Sequence, residues 1–129
     1  MQISNWNMKG KKQMNKIKLL ALFGESGAGK NSIQNWLIKE IPNANKVISY
    51  TTRPQRDCEK NGQEYYFISI SNFFDLYTKK KFLEYSVFND WYYGTSINEL
   101  EPDKINIGVF NPKGIGNLLQ HLEKIDILP

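Results

Sequence analysis

One segment near the start of the chain restricts the possible folds more than any other. Ile17–Phe23 is apolar at every position except Lys18, the pattern of a strand buried on both faces of a parallel sheet. Gly24 ends this run and opens a glycine-rich turn. The apolar residues after the turn recur at helical spacing and are Ile33, Trp36, Leu37 and Ile41. A strand, a glycine-rich turn and a helix in this order predict the opening unit of an α/β fold.

The turn has the P-loop pattern and reads Gly24-Glu25-Ser26-Gly27-Ala28-Gly29-Lys30. Its glycines allow successive backbone N–H groups to point at one phosphate, and the following helix adds the positive end of its dipole. We therefore expect the turn to bind the phosphates of a nucleoside triphosphate. Lys30 is expected to reach the phosphoryl group that is transferred.

The residues directly after the lysine depart from the usual pattern, which places Ser or Thr there to help hold Mg²⁺. This sequence has Asn31 in that position and Ser32 one place later. Adenylate-type kinases tolerate a glycine at the first position with a hydroxyl residue next, and Asn31-Ser32 resembles that arrangement. We expect Ser32 to supply the phosphate or metal contact.

The bulk composition excludes several classes of protein. The chain has 129 residues, of which 40% are apolar, enough for one domain with a continuous core. No apolar run approaches the roughly 18 residues of a membrane-spanning helix, so no membrane association is expected. The net charge of +4 is modest, and the lysines are not gathered with interleaved aromatic residues, so nucleic-acid binding is not indicated.

The cysteine and histidine content and the N-terminal segment indicate where the protein is located. Cys58 is the only cysteine and His121 the only histidine, so neither an intrachain disulfide nor a zinc cluster is predicted. Residues 1–18 carry lysines but no apolar stretch followed by a small-residue cleavage site, so we expect no secretory signal. These features suit a cytoplasmic protein, in which residues 1–16 form a disordered or frayed polar tail.

Apolar and aromatic runs mark the elements after the first helix. The predicted elements are a strand at residues 47–50, a polar functional loop at 51–62, a strand at 65–68, a helix at 72–79 capped by Ser71, and strands at Phe82–Phe88 and 91–93. The aromatic strands among them predict a small antiparallel sheet.

The last third of the chain returns to the pattern of a parallel sheet. Ile105–Phe110 predicts a second core strand, and a helix follows with an apolar stripe of Leu118, Leu119 and Leu122. Ile125–Leu128 predicts a further strand directly before Pro129, with no helix after it to cover that side of the sheet. We therefore expect a domain that is truncated at its C-terminal end.

The predicted loop carries a second phosphate-binding pattern, within the string Ser49-Tyr50-Thr51-Thr52-Arg53-Pro54-Gln55-Arg56. Arg53 and Arg56 stand three positions apart. Their planar, permanently charged guanidinium groups can grip a phosphate with paired hydrogen bonds, which a lysine cannot do. We expect these two arginines to form a phosphate clamp.

These motifs and those that follow them resemble the guanylate kinase family. In that family a P-loop is followed by Ser-x-Thr-Thr-Arg-x-x-Arg and then by Gly-x-x-Tyr-x-Phe, which here is Gly62-Gln63-Glu64-Tyr65-Tyr66-Phe67. The order continues with Phe82-Leu83-Glu84-Tyr85 and Tyr92-Tyr93-Gly94-Thr95-Ser96. The resemblance therefore covers about residues 17–125.

The resemblance implies an α/β fold, in which a P-loop kinase core with a parallel sheet flanked by helices carries a small mixed or antiparallel GMP-binding subdomain. The domain would span residues 17–129, with residues 17–48 and 104–129 as the core and about 49–98 as the subdomain. The implied reaction is phosphoryl transfer from ATP, with Mg²⁺, to GMP or dGMP, giving GDP or dGDP. The implied partners are these small nucleotides, and monomer and homodimer both stay open.

The resemblance also assigns residues to the reaction. The implied catalytic residues are Lys30, Arg53 and Arg56. The implied ATP-binding residues are Gly24, Glu25, Ser26, Gly27, Ala28, Gly29, Lys30, Asn31 and Ser32, and Ser32 is the candidate metal ligand. The implied GMP-binding residues are Ser49, Arg53, Arg56, Tyr65, Glu84, Tyr93, Gly94 and Thr95.

The chemistry of Glu84 agrees with its assigned role. A carboxylate can accept hydrogen bonds from the guanine N1–H and the exocyclic N2 group together, whereas adenine offers no such pair of donors. A site built in this way rejects the wrong base by leaving buried polar groups unpaired.

Two features depart from the family pattern. The family has an Asp-x-Asp segment where this chain has Val109 and Asn111, and its arginine-bearing lid would lie beyond Pro129. Loss of these charges would weaken the support of the transition state. The alternatives are therefore a catalytically weak or inactive guanylate-kinase-like binding or scaffold module, a kinase fragment, and a nucleoside monophosphate kinase with altered base preference.

Overall fold

The structure is a computed structural model that describes residues 16–23, 29–110 and 125–128. Its elements in chain order are β1 (Ile17–Phe23), α1 (Lys30–Glu40), β2 (Ala44–Lys46), β3 (Tyr50–Thr51), β4 (Tyr66–Phe67), α2 (Ile70–Thr78), β5 (Phe82–Phe88), β6 (Trp91–Ser96), a 3₁₀ turn (Ile97–Glu99), β7 (Ile105–Phe110) and β8 (Ile125–Leu128). The predicted tail up to residue 15, residues 24–28 of the P-loop and the predicted helix that carries Leu118, Leu119 and Leu122 lie outside the described residues.

Four parallel strands form the first sheet, in the order β2-β7-β1-β8. The strands predicted at Ile17–Phe23, Ile105–Phe110 and Ile125–Leu128 are thereby confirmed. Within β1, however, only Leu19 is fully buried, and Lys18 and Phe23 are exposed. Ile17, Leu20, Ala21 and Leu22 are half-buried, so the burial is less complete than the predicted burial on both faces.

One hydrophobic cluster holds this sheet to the rest of the described chain. It consists of Leu19, Val47, Leu83, Leu100 and Phe110. These residues come from β1, the segment after β2, β5, the segment after the 3₁₀ turn and β7. Because Leu83 belongs to the second sheet, the same cluster fixes that sheet against the first.

Four further strands form the second sheet, in the order β4-β3-β6-β5. β3 pairs in parallel with β4, whereas β6 pairs antiparallel with both β3 and β5, so the sheet is mixed. Helix α2 covers one of its faces, where Phe73 is 1% exposed and its ring lies 4.5 Å from that of Phe82 and 5.4 Å from that of Tyr92. Helix α2 does not cover the opposite face of this sheet.

The structure corrects the predicted strand at residues 47–50. β2 ends at Lys46 and β3 begins at Tyr50, so Val47, Ile48 and Ser49 link the two sheets. Val47 and Ile48 are buried although they belong to no strand. Their apolar pattern therefore reports burial between the sheets, which a periodicity argument cannot distinguish from a strand.

Helix α2 also begins earlier than predicted. It spans Ile70–Thr78, and its cap is Ser69, whose side chain accepts a hydrogen bond of 3.1 Å from the backbone N–H of Asn72. Ser71, the predicted cap, lies in the first turn. Both serines suit an N-cap by residue type, so the sequence alone did not separate them.

The face of helix α1 that packs against the sheet is not the one that the positions of Ile33 and Trp36 predicted. Ile33 and Trp36 are 48% and 60% exposed, whereas Gln34 is 4% exposed. The amide of Gln34 makes hydrogen bonds to backbone carbonyls of the sheet. Those bonds compensate its burial, as a buried amide requires.

Candidate functional site

The face of the second sheet that α2 does not cover carries several of the residues assigned to GMP binding. Glu84 is paired with Thr95 across the sheet, Ser86 with Tyr93, and Tyr93 in turn with Thr51. Residues directly opposite each other, and residues two apart on one strand, share a face. The structure therefore places Glu84, Tyr93 and Thr95 together.

One end of this face is a buried polar cluster of Glu84, Thr95 and Ser49. Glu84 is 4% exposed and Thr95 0% exposed. The hydroxyl oxygens of Ser49 and Thr95 are 2.6 Å apart. Burial raises the pKa of Glu84 from 4.5 to about 7, and hydrogen bonds from Thr95 oppose that rise. The cluster thus holds a carboxyl group whose charge changes close to neutral pH.

The other end of the face is aromatic and cationic. The guanidinium carbon of Arg53 lies 5.5 Å from the centre of the Tyr65 ring and 5.6 Å from that of Phe67. The rings of Tyr65 and Tyr93 are 5.7 Å apart. These distances lie within the range of cation–π and aromatic contacts. Three of the predicted GMP-binding residues, Arg53, Tyr65 and Tyr93, are therefore neighbours.

Arg53 is held by an acidic residue that the sequence reasoning missed. Its two terminal nitrogens donate to the two carboxylate oxygens of Glu59, at 2.9 Å and 2.8 Å. The hydrogen bond from Arg53 is the main reason why the pKa of Glu59 lies below its usual value. Arg53 is 5% exposed, and a buried arginine requires a partner of opposite charge. That requirement appears only once the structure shows Arg53 to be buried, so the sequence alone carried no signal for Glu59.

Glu59 also connects the two predicted arginines. Its Oε1 accepts a hydrogen bond of 2.8 Å from the backbone N–H of Arg56. The side chain of Arg56 is exposed, in contrast to the buried Arg53. The loop thus presents one fixed guanidinium group and one at the surface.

Gly94 has a packing role that the sequence did not show. A Cβ atom at this position would lie 2.7 Å from a ring carbon of Phe82. Gly94 alternates with Tyr93 and Thr95, so that Cβ would be on the α2 side of the sheet, away from Glu84. Only the backbone of Gly94 is therefore available to the candidate site.

The described part of the P-loop consists of Gly29 and Lys30. Gly29 has φ of 80°, a conformation that glycine adopts without strain, and its carbonyl accepts from the N–H of Ile33 as α1 begins. Lys30 is half-buried, and desolvation lowers the pKa of its ammonium group. Residues Gly24, Glu25, Ser26, Gly27 and Ala28 lie outside the described residues.

The donor set for a divalent metal is small. Asn31 and Ser32 are both exposed in the first turn of α1, and Val109 is half-buried in β7. Across the described ranges 16–23, 29–110 and 125–128, no three acidic, histidine or cysteine side chains gather into a metal-binding group. Mg²⁺ is usually bound through one or two protein oxygens, substrate phosphates and water. The exposed hydroxyl of Ser32 fits one such contact, and Asn111 is outside the described residues.

Comparison with known proteins identifies the family. The family profile described as guanylate kinase matches residues 16–105. This chain belongs to the guanylate kinase family. Among curated relatives, the guanylate kinase of Helicobacter hepaticus (strain ATCC 51449 / 3B1) is 40% identical over 96 residues, and that of Nostoc sp. (strain PCC 7120 / SAG 25.82 / UTEX 2576) is 39% identical over 92 residues.

Coverage of those relatives is partial. The matches take in 71% of this chain and 48% of the Helicobacter protein, and 68% of this chain and 46% of the Nostoc protein. The chain thus spans about half the length of the curated relatives it matches.

The fold agrees with this membership. The crystal structure of guanylate kinase from Anaplasma phagocytophilum superimposes with a TM-score of 0.66 at 23% sequence identity, covering 87% of this chain and 58% of that one. The predicted α/β class with a parallel sheet and a smaller mixed sheet is thereby confirmed. None of the helices in the described ranges is long and apolar enough to cross a membrane.

Proposed function

We propose that the chain binds GMP or dGMP on the uncovered face of the second sheet and ATP at the P-loop, and that it serves phosphoryl transfer from ATP to the monophosphate. The observation that carries the proposal is that one face of the second sheet has an acidic group at one end and a basic group at the other. The buried carboxyl group of Glu84 lies at one end, and the fixed guanidinium group of Arg53 lies at the other. A guanine base and a phosphate match these ends in chemistry.

Glu84 supplies base recognition in this proposal. Its ionised carboxylate accepts from guanine N1–H and N2–H, and Thr95 keeps it oriented through the hydrogen bonds already present. Adenine would place a ring nitrogen acceptor against the carboxylate instead. The repulsion and the unpaired buried groups would then select against AMP.

Arg53 and Arg56 hold the phosphate in this proposal. Glu59 occupies the end of the Arg53 guanidinium group that carries the two terminal nitrogens. The side edge, formed by Nε and the second hydrogen of one terminal nitrogen, is the remaining donor pair for a phosphate. The exposed Arg56 and the hydroxyl groups of Tyr65 and Tyr93 complete the proposed clamp.

Lys30 serves the transfer step. A phosphate oxygen of the monophosphate attacks the γ-phosphorus of ATP and forms the new P–O bond, while the bond to the β–γ bridging oxygen breaks and ADP leaves. Lys30 and the arginines stabilise the negative charge on the transferred group. When bound, Mg²⁺ neutralises further phosphate charge, and Ser32 is the protein residue proposed to contact it.

The proposed setting is the cytoplasm, with small nucleotides as partners and without a nucleic acid or a membrane. Cys58 is exposed as a free thiol, which suits a reducing compartment.

A binding module without efficient transfer is the second candidate. Val109 favours it, because an apolar side chain in β7 stands where the family pattern has a carboxylate. Such a module would still bind GMP, since Glu84 and Arg53 do not depend on that position.

A coupled assay of ADP formation tests the first proposal. MgATP would be supplied with GMP, dGMP, AMP or dTMP, for the unaltered chain and for Arg53→Ala. The proposal expects turnover with the guanine nucleotides and its loss in the variant. Turnover indifferent to the base would contradict it, and GMP binding without turnover would favour the second candidate.

A further inference from the structure

The buried amide of Gln34 connects the two halves of the candidate site. Gln34 lies on α1, the helix that begins at Lys30, and it is the buried residue of that helix. Its Nε2 donates to the carbonyl of Ile107 at 2.8 Å and to that of Val47 at 3.2 Å. Because both partners are carbonyls and can only accept, the orientation of the amide is fixed by chemistry.

The two carbonyls belong to different parts of the chain. Ile107 lies in β7 of the parallel sheet, and Val47 lies in the segment that leaves this sheet for the second one. The backbone N–H of Val47 also donates to the carbonyl of Ile107, at 3.0 Å. Gln34 therefore joins α1 to the point where the chain crosses between the sheets.

Functional residues stand close to both ends of this connection. Lys30 is four residues before Gln34, so the two side chains lie on the same side of α1, one turn apart. Ser49 is two residues after Val47, and its hydroxyl oxygen lies 2.6 Å from that of Thr95. Gln34 thus links Lys30, in the proposed ATP site, to the cluster of Ser49 and Thr95 in the proposed GMP site.

An amide is an unusual choice if filling space were the only requirement. An apolar side chain of the same size would be buried without the cost of desolvating a polar group. Two hydrogen bonds with fixed directions restrict both the rotation of α1 and its position along the strands, whereas an apolar contact is non-directional. The apolar residues that share the face of Gln34 are Leu37 and Ile38, which are only half-buried and whose apolar contacts are non-directional.

We propose that Gln34 is a positioning residue, which fixes Lys30 relative to the monophosphate site through its hydrogen bonds to Val47 and Ile107. This inference rests on the proposed function, because it assumes that Lys30 and the acceptor face act on two nucleotides. Gln34 itself contacts neither nucleotide in the proposal. Its effect is on the distance and angle between the two bound phosphates.

A bridging nucleotide tests this directly without turnover. The probe is adenosine and guanosine joined through their 5′ positions by a chain of five phosphates, and it can span both halves only if they are correctly placed. Calorimetric titration would measure the affinity for GMP and for the probe in the unaltered chain and in Gln34→Met, which keeps the length but removes the amide. Gln63→Met is the matched control, because Gln63 is exposed in a loop.

In the unaltered chain and in Gln63→Met, the probe should bind more tightly than GMP. In Gln34→Met this gain should fall by at least about tenfold, because small errors of position are costly, while the affinity for GMP stays within about twofold. Gln34→Asn, whose amide is too short to reach both carbonyls, should show the same loss if Gln34→Met does not fold.

The alternative outcomes separate the two proposals. A gain retained in both Gln34 variants, even with a lower melting temperature, would mean that Gln34 only supports the fold and would overturn this inference alone. Absence of the gain in the unaltered chain would overturn it too. Failure of the unaltered chain to bind GMP would overturn the proposed function itself.

Discussion

Arg53 and Glu59 form a two-bonded ion pair inside the loop that follows β3, with distances of 2.9 Å and 2.8 Å. The side chains are 5% and 14% exposed, so the pair is largely shielded from water. The rings of Tyr65 and Phe67 lie beside the guanidinium group. Arg53 is therefore fixed by the protein itself, so that binding of the proposed phosphate would not have to order this side chain.

The first prediction concerns Glu59→Gln. The variant keeps one acceptor oxygen but removes the charge that orients Arg53, so we expect GMP affinity to fall by roughly 10-fold to 100-fold. The free energy of unfolding should decrease by about 2 kcal/mol, since a largely buried cation loses its counter-charge. Isothermal titration and urea denaturation measure the two effects.

Glu64→Gln is the control for that variant. Glu64 lies in the same loop and accepts a hydrogen bond of 2.9 Å from the backbone N–H of Lys60. Its replacement should leave GMP affinity unchanged, because a neutral amide oxygen can accept the same bond. Tighter GMP binding in Glu59→Gln would show that Glu59 competes with the phosphate instead of orienting Arg53.

The second prediction concerns pH and Glu84. Burial raises the pKa of this carboxyl group to about 7, and the proposed contact with guanine requires the ionised form. GMP affinity should therefore increase as the pH rises from about 6 to about 8, with release of a proton on binding below the midpoint. Titrations in buffers of different ionisation enthalpy measure this proton directly. Affinity that is flat over this range in the unaltered chain would contradict the assignment.

The carboxyl group of Glu84 makes protein stability fall with rising pH, whereas it should make GMP affinity rise. The folded pKa lies above 4.5, the ordinary value, so the folded state binds the proton more tightly than the unfolded state. The contribution of Glu84 to stability is greatest below about pH 4.5 and is lost as the pH rises to about 7, by roughly 3 kcal/mol. Glu84→Gln should lose this dependence, which denaturation at pH 5 and pH 8 would measure.

The third prediction concerns Gly94→Ala. The new methyl group would meet the ring of Phe82 at 2.7 Å, so the ring or the strand must shift. We expect a loss of about 1–3 kcal/mol in the free energy of unfolding. The double variant Gly94→Ala with Phe82→Leu removes the ring and should recover part of this loss relative to Phe82→Leu alone. Equal losses in both backgrounds would show that Phe82 is not the cause.

The fourth prediction concerns Asn106, which is 0% exposed. Its amide nitrogen donates to the carbonyls of Lys18 and Glu101, at 2.9 Å and 3.0 Å, and its oxygen accepts from the side chain of Asn45 at 2.8 Å. Asn106→Leu should leave these groups unpaired and lower the free energy of unfolding by about 2–4 kcal/mol. Thermal denaturation measures the loss, and GMP affinity should stay the same in the folded protein. A variant of unchanged stability would contradict this role.

The sequence predicted the parallel core well because its signal is local. Ile17–Phe23 and Ile105–Phe110 are mainly apolar segments with breakers after them, and both are strands of the first sheet. It failed at residues 47–50, where the apolar residues are buried between two sheets. Whether such a segment is a strand or a buried link depends on its position in the tertiary structure. Neither periodicity nor composition carries that information.

The assignment of residues to the candidate site stays a prediction, but their positions in the fold can be compared with it. Motif order assigned Arg53, Tyr65 and Glu84, and the structure brings each of them to one face. The contacts of Glu59 and Gln34 were missed because their partners lie across a loop or far away in sequence: Gln34 contacts a carbonyl 73 residues further along the chain. A polar residue at a buried helical position is visible only once the fold is known.

Recognition of guanine by Glu84 is the central step of the proposed function. The deciding measurement is the titration of GMP, IMP and AMP at pH 8 into the unaltered chain and Glu84→Gln. The account predicts that GMP binds tightest, that IMP, which lacks the N2 donors, binds roughly 10-fold more weakly, and that AMP binds at least about 100-fold more weakly. In Glu84→Gln the three affinities should converge. Equal affinity for GMP and AMP in the unaltered chain would contradict the account.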